Sequence, residues 1–264
     1  MGRFGVAVSQ STSDGCVMRS AWMRAVENIR MQFVDGKYLG ARYVEMHKRR
    51  IGGAINPRAI VVHSTDMAPS TFEALVKSWT TQPGKGNGAH FLIGRDARQG
   101  VVQFCSIERN ANHAGGPSAG AVVDGQKRYH PNRYSVGIEV HNAGLLRLID
   151  WQWRQTERRD GKLVAVGPAY SPSEIVVPSP IRAPKIGYHL PTAWQIAELR
   201  KLIAALDATL APAPENLIAW QSVGIVQPWA YCADARVVFH ASLDPTRKGD
   251  PWPVIARMIR DAEK

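Results

Sequence analysis

One loop near the carboxyl end limits what this chain can become. Phe239-His240-Ala-Ser-Leu-Asp-Pro-Thr-Arg-Lys248-Gly-Asp250-Pro gathers an imidazole, an ammonium and a carboxylate into a short span. Pro245, Gly249 and Pro251 forbid a regular helix, so the stretch reads as a strand end running into a fixed loop. Arg236-Val-Val-Phe-His240 is the strand that delivers it. Such a loop can bend back until His240 and Asp250 face one point. Imidazole nitrogen and carboxylate oxygen both suit Zn²⁺, and a catalytic zinc site takes three protein ligands and keeps a fourth position open. The third ligand must come from elsewhere. The best candidate is His63, at the carboxyl end of the β-branched run Ala59–Val62, because open α/β sheets place ligands at that end of their strands.

The elements between these two strands follow from local signals. Ser70 and Glu73 have the spacing of a capping box, and Phe72, Leu75, Val76 and Trp79 form one apolar face behind it, which predicts a helix directly after the His63 strand. His90–Gly94 and Val101–Phe104 read as two strands joined across Arg95–Gly100. Asn110–Gly120 is small, polar and glycine-rich, a loop that exposes backbone and carries His113. Val136–Val140 is a further core strand, on which Ile138 and Glu139 face opposite sides. A carboxylate inside so apolar a run is costly unless it meets solvent, a cation or a polarised water, so Glu139 is a functional candidate on its own chemistry. Thr192 and Gln195 form a second capping box, followed by Ile196, Leu199, Leu202, Ile203 and Leu206 on the core face of a helix reaching about Leu210. A closing helix is expected over Val254–Ala262.

Two stretches stand apart. Residues 1–57 are basic and carry Trp22, Val26, Ile29 and Phe33 at helical spacing, which predicts an N-terminal extension with a helix over about Ser20–Phe33. Residues 145–191 hold Pro168, Pro172, Pro178, Pro180, Pro184 and Pro191 behind a small hairpin suggested by Trp151-Gln-Trp153 and Arg158–Gly161. That proline density predicts an extended surface excursion rather than packed strands, either a wall of the substrate cleft whose exposed tryptophans would suit stacking on sugars or a decorative loop with its own small apolar cluster. Residues 58–264 then form the main domain. The predicted fold is α/β, a central mixed sheet flanked by helices.

The formal charge of +11 would suit nucleic acid or an anionic wall polymer alike. No helix-turn-helix, zinc-finger or ribonucleoprotein signature supports the former, so no nucleic-acid partner is expected. No run of about 18 apolar residues indicates a transmembrane segment. Met1–Gln10 lack the continuous apolar stretch of a secretory signal, which predicts another exit route or a substrate met inside the cell. Cys16, Cys105 and Cys232 make neither a disulfide framework nor a Cys-x-x-Cys pair and read as buried or incidental thiols.

Taken together, Ile60-Val-Val-His63-Ser-Thr, Ala89-His90-Phe-Leu-Ile93, Asn112-His113-Ala-Gly115, Ser135-Val-Gly-Ile-Glu139-Val and His240-x7-Lys248-x-Asp250-Pro resemble, in order, the zinc-dependent type-2 N-acetylmuramoyl-L-alanine amidases, which share a fold with the peptidoglycan-recognition proteins. The resemblance implies a zinc held by His63, His240 and Asp250, with Glu139 as general base and then acid and Lys248 as a donor to the oxyanion. It also implies that Asn112, His113 and Ala114 border the substrate cleft, that His90 is structural, and that the partner is peptidoglycan or its muropeptide fragments. His141, two residues after Glu139, could also approach the metal. Related recognition proteins often carry cysteine eight residues after the second histidine. Lys248 stands there in this chain and Asp250 follows, as in the amidase branch. Phe239, where glycine is common, and Trp252, where a small residue follows Asp-Pro, depart from the pattern and bear on substrate fit. A phage lysin, a toxin delivered to a competitor's wall and a recycling enzyme all agree with the resemblance. The alternative is a recognition module that binds peptidoglycan without cleaving it.

Overall fold

The computed structural model describes residues 32–83, 88–114, 121–123, 126–127, 131–177, 185–210, 218–220, 237–240 and 255. In chain order the elements that position the site are β1 (Arg42–Tyr43), β2 (Ile51–Ala54), β3 (Ala59–Ser64), α1 (Phe72–Thr81), β4 (Phe91–Ile93), β5 (Val101–Gln103), β6 (Arg109–Ala111) and β7 (Ser135–Val140). They continue as β8 (Leu145–Ile149), β9 (Gln152–Arg159), β10 (Lys162–Tyr170), β11 (Ile175–Val176), β12 (Ile186–His189), α2 (Ala193–Thr209) and β13 (Val237–Phe239).

Among the described residues the central sheet runs β13-β3-β7-β4-β5-β1. β7 lies parallel to β3 and to β4, β13 lies parallel to β3, and β4 and β5 form the antiparallel hairpin expected from their apolar runs. The α/β class and mixed central sheet predicted from the strand–helix order are what the chain forms. Residues 33–54, inside the stretch read as an extension, supply the outermost strand β1 and pair β2 with β6.

The two faces of this sheet differ. On one, Ile60, Val62, Val136, Ile138, Val140, Val237 and Phe239 pack in a single cluster with Leu199, Leu202 and Leu206 of α2. Each such side chain contributes about 1.5–3 kcal/mol when fully buried. α2 starts where its capping box predicts: Thr192 accepts from the Gln195 backbone and the Gln195 side chain from the Thr192 N–H. On the other face, Leu92 and Val102 pack with Phe72, Val76 and Trp79 of α1. That covers the β4–β5 half and leaves the β13–β3–β7 half for other residues.

Three expectations change. The capping box at Ser70 does not form, because Pro69–Thr71 makes a 3₁₀ turn and α1 begins at Phe72 with no side-chain cap. Thr71 donates instead to the Ala68 carbonyl, and Glu73 pairs with Arg42 at 3.5 Å. Residues 145–177 and 185–189 are not an open excursion. They build a five-stranded antiparallel sheet, β10-β9-β8-β12-β11, over a small core of Ala143, Leu146, Trp153 and Tyr170. Pro168 misled because it lies on the edge strand β10 beside a register shift between Trp153 and Gln155, where a missing N–H breaks no ladder bond. Finally, Phe33 opens a two-residue strand rather than ending a helix. The rest of the helix predicted from Ser20 lies outside the described residues, as does the closing helix apart from the buried Ile255.

Candidate active site

Register places the candidate residues before any side-chain contact is considered. Glu139 of β7 pairs with His63 of β3, and Phe239 of β13 pairs with Val62, so His240 follows onto the level of His63. Parallel strands in register put paired residues on one face. His63, Glu139 and the neighbouring Ser135 and Gly137 therefore share the half of the sheet that α1 leaves uncovered.

The side chains meet there. His63 Nδ1 lies 3.0 Å from His240 Nδ1, and His63 Nε2 lies 3.0 Å from His113 Nδ1. All three imidazoles are buried, and His113 is only 2% exposed. His113 Nε2 in turn faces Ser135 Oγ at 3.3 Å, and Ser135 donates to the Pro131 carbonyl at 2.6 Å. Burial first, and then the neighbouring imidazoles of His63, His90 and His240, hold His113 well below the ordinary histidine range. His63 uses its two nitrogens in opposite directions, so the imidazoles form a row. Among the described residues no three His, Cys, Asp or Glu side chains form a group that could hold a metal.

His63 and His240, delivered by adjacent parallel strands, are the pair whose spacing bears on zinc. Two nitrogens on one tetrahedral zinc stand about 3.3 Å apart, given Zn–N distances of about 2.0–2.1 Å. The 3.0 Å between the two Nδ1 atoms is near that value, and neutral imidazole is the form a metal needs. His63 and His240 fit. Lys248 and Asp250, expected to complete the site, lie outside the described residues.

Asn112, His113 and Ala114, expected to border the cleft, are engaged within the protein. The Asn132 carboxamide oxygen accepts from the N–H groups of His113 and Ala114 at 3.2 and 2.8 Å, while its nitrogen donates to the Asn112 side chain at 2.9 Å. His90 behaves as expected of a structural residue: Nδ1 accepts from Gly137 N–H at 3.0 Å, Nε2 meets the Arg109 carbonyl at 2.8 Å, and burial lowers it to about 4. His141 turns away from the His63 row, with Nδ1 3.2 Å from Thr65 Oγ1 and Nε2 3.3 Å from the Pro69 carbonyl. Cys105 is a buried thiol pushed up to about 12 by desolvation; Cys16 and Cys232 lie outside the described residues.

Sequence reasoning missed Asn132, Ser135 and Gly137. The last two were legible in principle, because alternation along β7 puts them on the face of Glu139. Nothing local marked Asn132.

These features define an α/β protein with a buried row of imidazoles at the carboxyl ends of adjacent parallel strands and a carboxylate in register beside them. Residues 53–253 match the family of N-acetylmuramoyl-L-alanine amidases, and the chain belongs to that family. No curated protein matches it. Among solved structures it is similar to the selenomethionine derivative of AmpD, with 20% identity over 84% of this chain and 93% of that one and a TM-score of 0.47. It is also similar to AmiD from E. coli, solved with anhydro-N-acetylmuramic acid-L-Ala-D-γ-Glu-L-Lys, at 19% identity over 78% of this chain and 58% of that one, TM-score 0.42. The catalytic domain of XlyA matches at 17% identity over 82% of this chain and 97% of that one, TM-score 0.41.

Proposed function

We propose that this protein is a zinc-dependent amidase that hydrolyses the bond between N-acetylmuramic acid and L-alanine in peptidoglycan or its muropeptide fragments, with residues 33–54 built into the same unit as the domain expected over 58–264. The observation that carries the zinc reading is the pair of buried Nδ1 atoms 3.0 Å apart on His63 and His240, with Glu139 in register on the same sheet face. Asp250, the third ligand by family position, completes the set. Zinc bound there would supply Lewis acidity, polarising the scissile carbonyl and acidifying water.

The chain's own residues do the rest. Glu139 accepts a proton from the attacking water as its oxygen bonds to the carbonyl carbon, then returns that proton to the alanine nitrogen as the C–N bond breaks. Lys248, two residues before Asp250, donates to the oxyanion formed in between. The net charge of +11 draws an anionic wall polymer towards the protein. Action on the cell wall, after release or delivery, agrees with this reading.

The test is digestion of purified peptidoglycan with and without a chelator, scoring new L-alanine amino termini against new sugar reducing ends. New amines only with metal, and no new reducing ends, are expected. Wall binding with neither product would replace the enzyme with a recognition module.

A further inference from the structure

We propose that His113 is a positioning residue that fixes which nitrogen His63 offers to a metal, an inference that rests on the zinc reading of His63 and His240. The Pro131 carbonyl takes the only hydrogen of the Ser135 hydroxyl, at 2.6 Å. Ser135 Oγ, 3.3 Å from His113 Nε2, can then act towards His113 only as an acceptor, so His113 Nε2 carries the proton. An imidazole only 2% exposed, set between a second imidazole and a hydroxyl, keeps a single proton, so His113 Nδ1 is bare and accepts from His63 Nε2–H at 3.0 Å. With a single proton on His63, held at Nε2, its lone pair lies on Nδ1, the atom 3.0 Å from His240 Nδ1. Donation thus runs one way, from His63 to His113 to Ser135 to Pro131. A metal-binding histidine needs this kind of acceptor on its other nitrogen to hold its tautomer and ring plane.

The backbone around His113 is built to keep the ring in place. Asn132 clamps the N–H groups of His113 and Ala114. The ring lies against β7 where Gly137 has no side chain; a Cβ there would stand 2.3 Å from His113 Cγ and 2.6 Å from Nδ1. Gly137 is itself held by its N–H bond to His90 Nδ1 at 3.0 Å. Glycine in β7 therefore serves close approach rather than flexibility.

The experiment uses the full chain, labelled with ¹⁵N at histidine and free of zinc, in which long-range ¹H–¹⁵N spectra distinguish the two imidazole tautomers. His63 is expected to be protonated at Nε2 and bare at Nδ1. Zn²⁺ affinity, read by competition with a chromogenic chelator, is expected to fall on the order of 10–100-fold in His113→Leu. His113→Asn places a carboxamide oxygen where Nδ1 was and is expected to recover part of the loss. A packing role alone would favour leucine over the smaller asparagine. Gly137→Ala displaces the ring without removing any donor and is expected to weaken zinc as well. A His63 proton found on Nδ1, or zinc held as tightly by the leucine variant as by the wild type, would overturn the proposal. A wild-type chain that binds no Zn²⁺ would instead overturn the metal reading, while the tautomer, measured without metal, still decides the relay.

Discussion

Glu139 shares a sheet face with His63, and its carboxylate would cost folding energy there without a polar or charged neighbour. Glu139→Gln keeps shape and removes the proton acceptor. Turnover of peptidoglycan is expected to fall by about 10²–10⁴-fold, the usual share of a general base. Zn²⁺ affinity and melting temperature should stay close to wild type. A rate that survives would move proton transfer to another group. At this scale the sequence was informative where a residue's neighbours are its own strand, as for Glu139 and His63. It was silent where the neighbour comes from far away. His113 touches His63 across 50 positions and Ser135 across 22. No spacing rule brings those three together, so His113 read as a cleft residue and its place in the buried row became visible only in three dimensions.

Among the elements, α2 is tied to the sheet by a polar residue as well as by its leucines. Gln195 is wholly buried, and its side-chain nitrogen donates to the His141 carbonyl at 2.9 Å while its oxygen caps the helix at Thr192. Thr192→Ala loses the cap and the hydroxyl's bond to the Arg95 carbonyl at 2.7 Å and should cost about 1–2 kcal/mol. Gln195→Ala also strands a buried carbonyl and should cost more, about 2–4 kcal/mol, in urea melts. Equal losses would mean that the contact with His141 contributes nothing. Trp151 offers the opposite case: 90% exposed and held at φ +61° in the turn between β8 and β9, it has little packing to lose. Trp151→Gly should leave stability unchanged or raise it by up to about 1 kcal/mol, because glycine adopts that conformation without strain. The helices were legible because caps and apolar faces are local. The five-stranded sheet was not: its strands are largely exposed and alternate weakly, and Pro168 stands on an edge strand beside a register shift, where proline is tolerated.

For the whole molecule, burial first of all holds His90 and His141 at about 4, whereas in an unfolded chain both titrate near about 6.5. Between those values the unfolded state takes up protons that the native state refuses. Stability is therefore full above about pH 6.5 and falls as pH drops towards 4, by up to about 1.4 kcal/mol per pH unit for each histidine. Urea midpoints of the zinc-free chain should be flat from pH 8 to 7 and clearly lower at pH 5. An unchanged midpoint at pH 5 would mean that these imidazoles accept protons without unfolding. The division of the central sheet has a last consequence. Val136, Ile138 and Val140 of β7 hold the apolar core, while Ser135, Gly137 and Glu139 alternate with them on the histidine side. A slip of one residue would swap the two sets, thrusting a carboxylate into the core and a valine or isoleucine against His113. Such a chain would lose its core and its imidazole row together. Proofreading of the pairing is thus written into the strand that carries the chemistry, and a misfolded copy has no route to being half active.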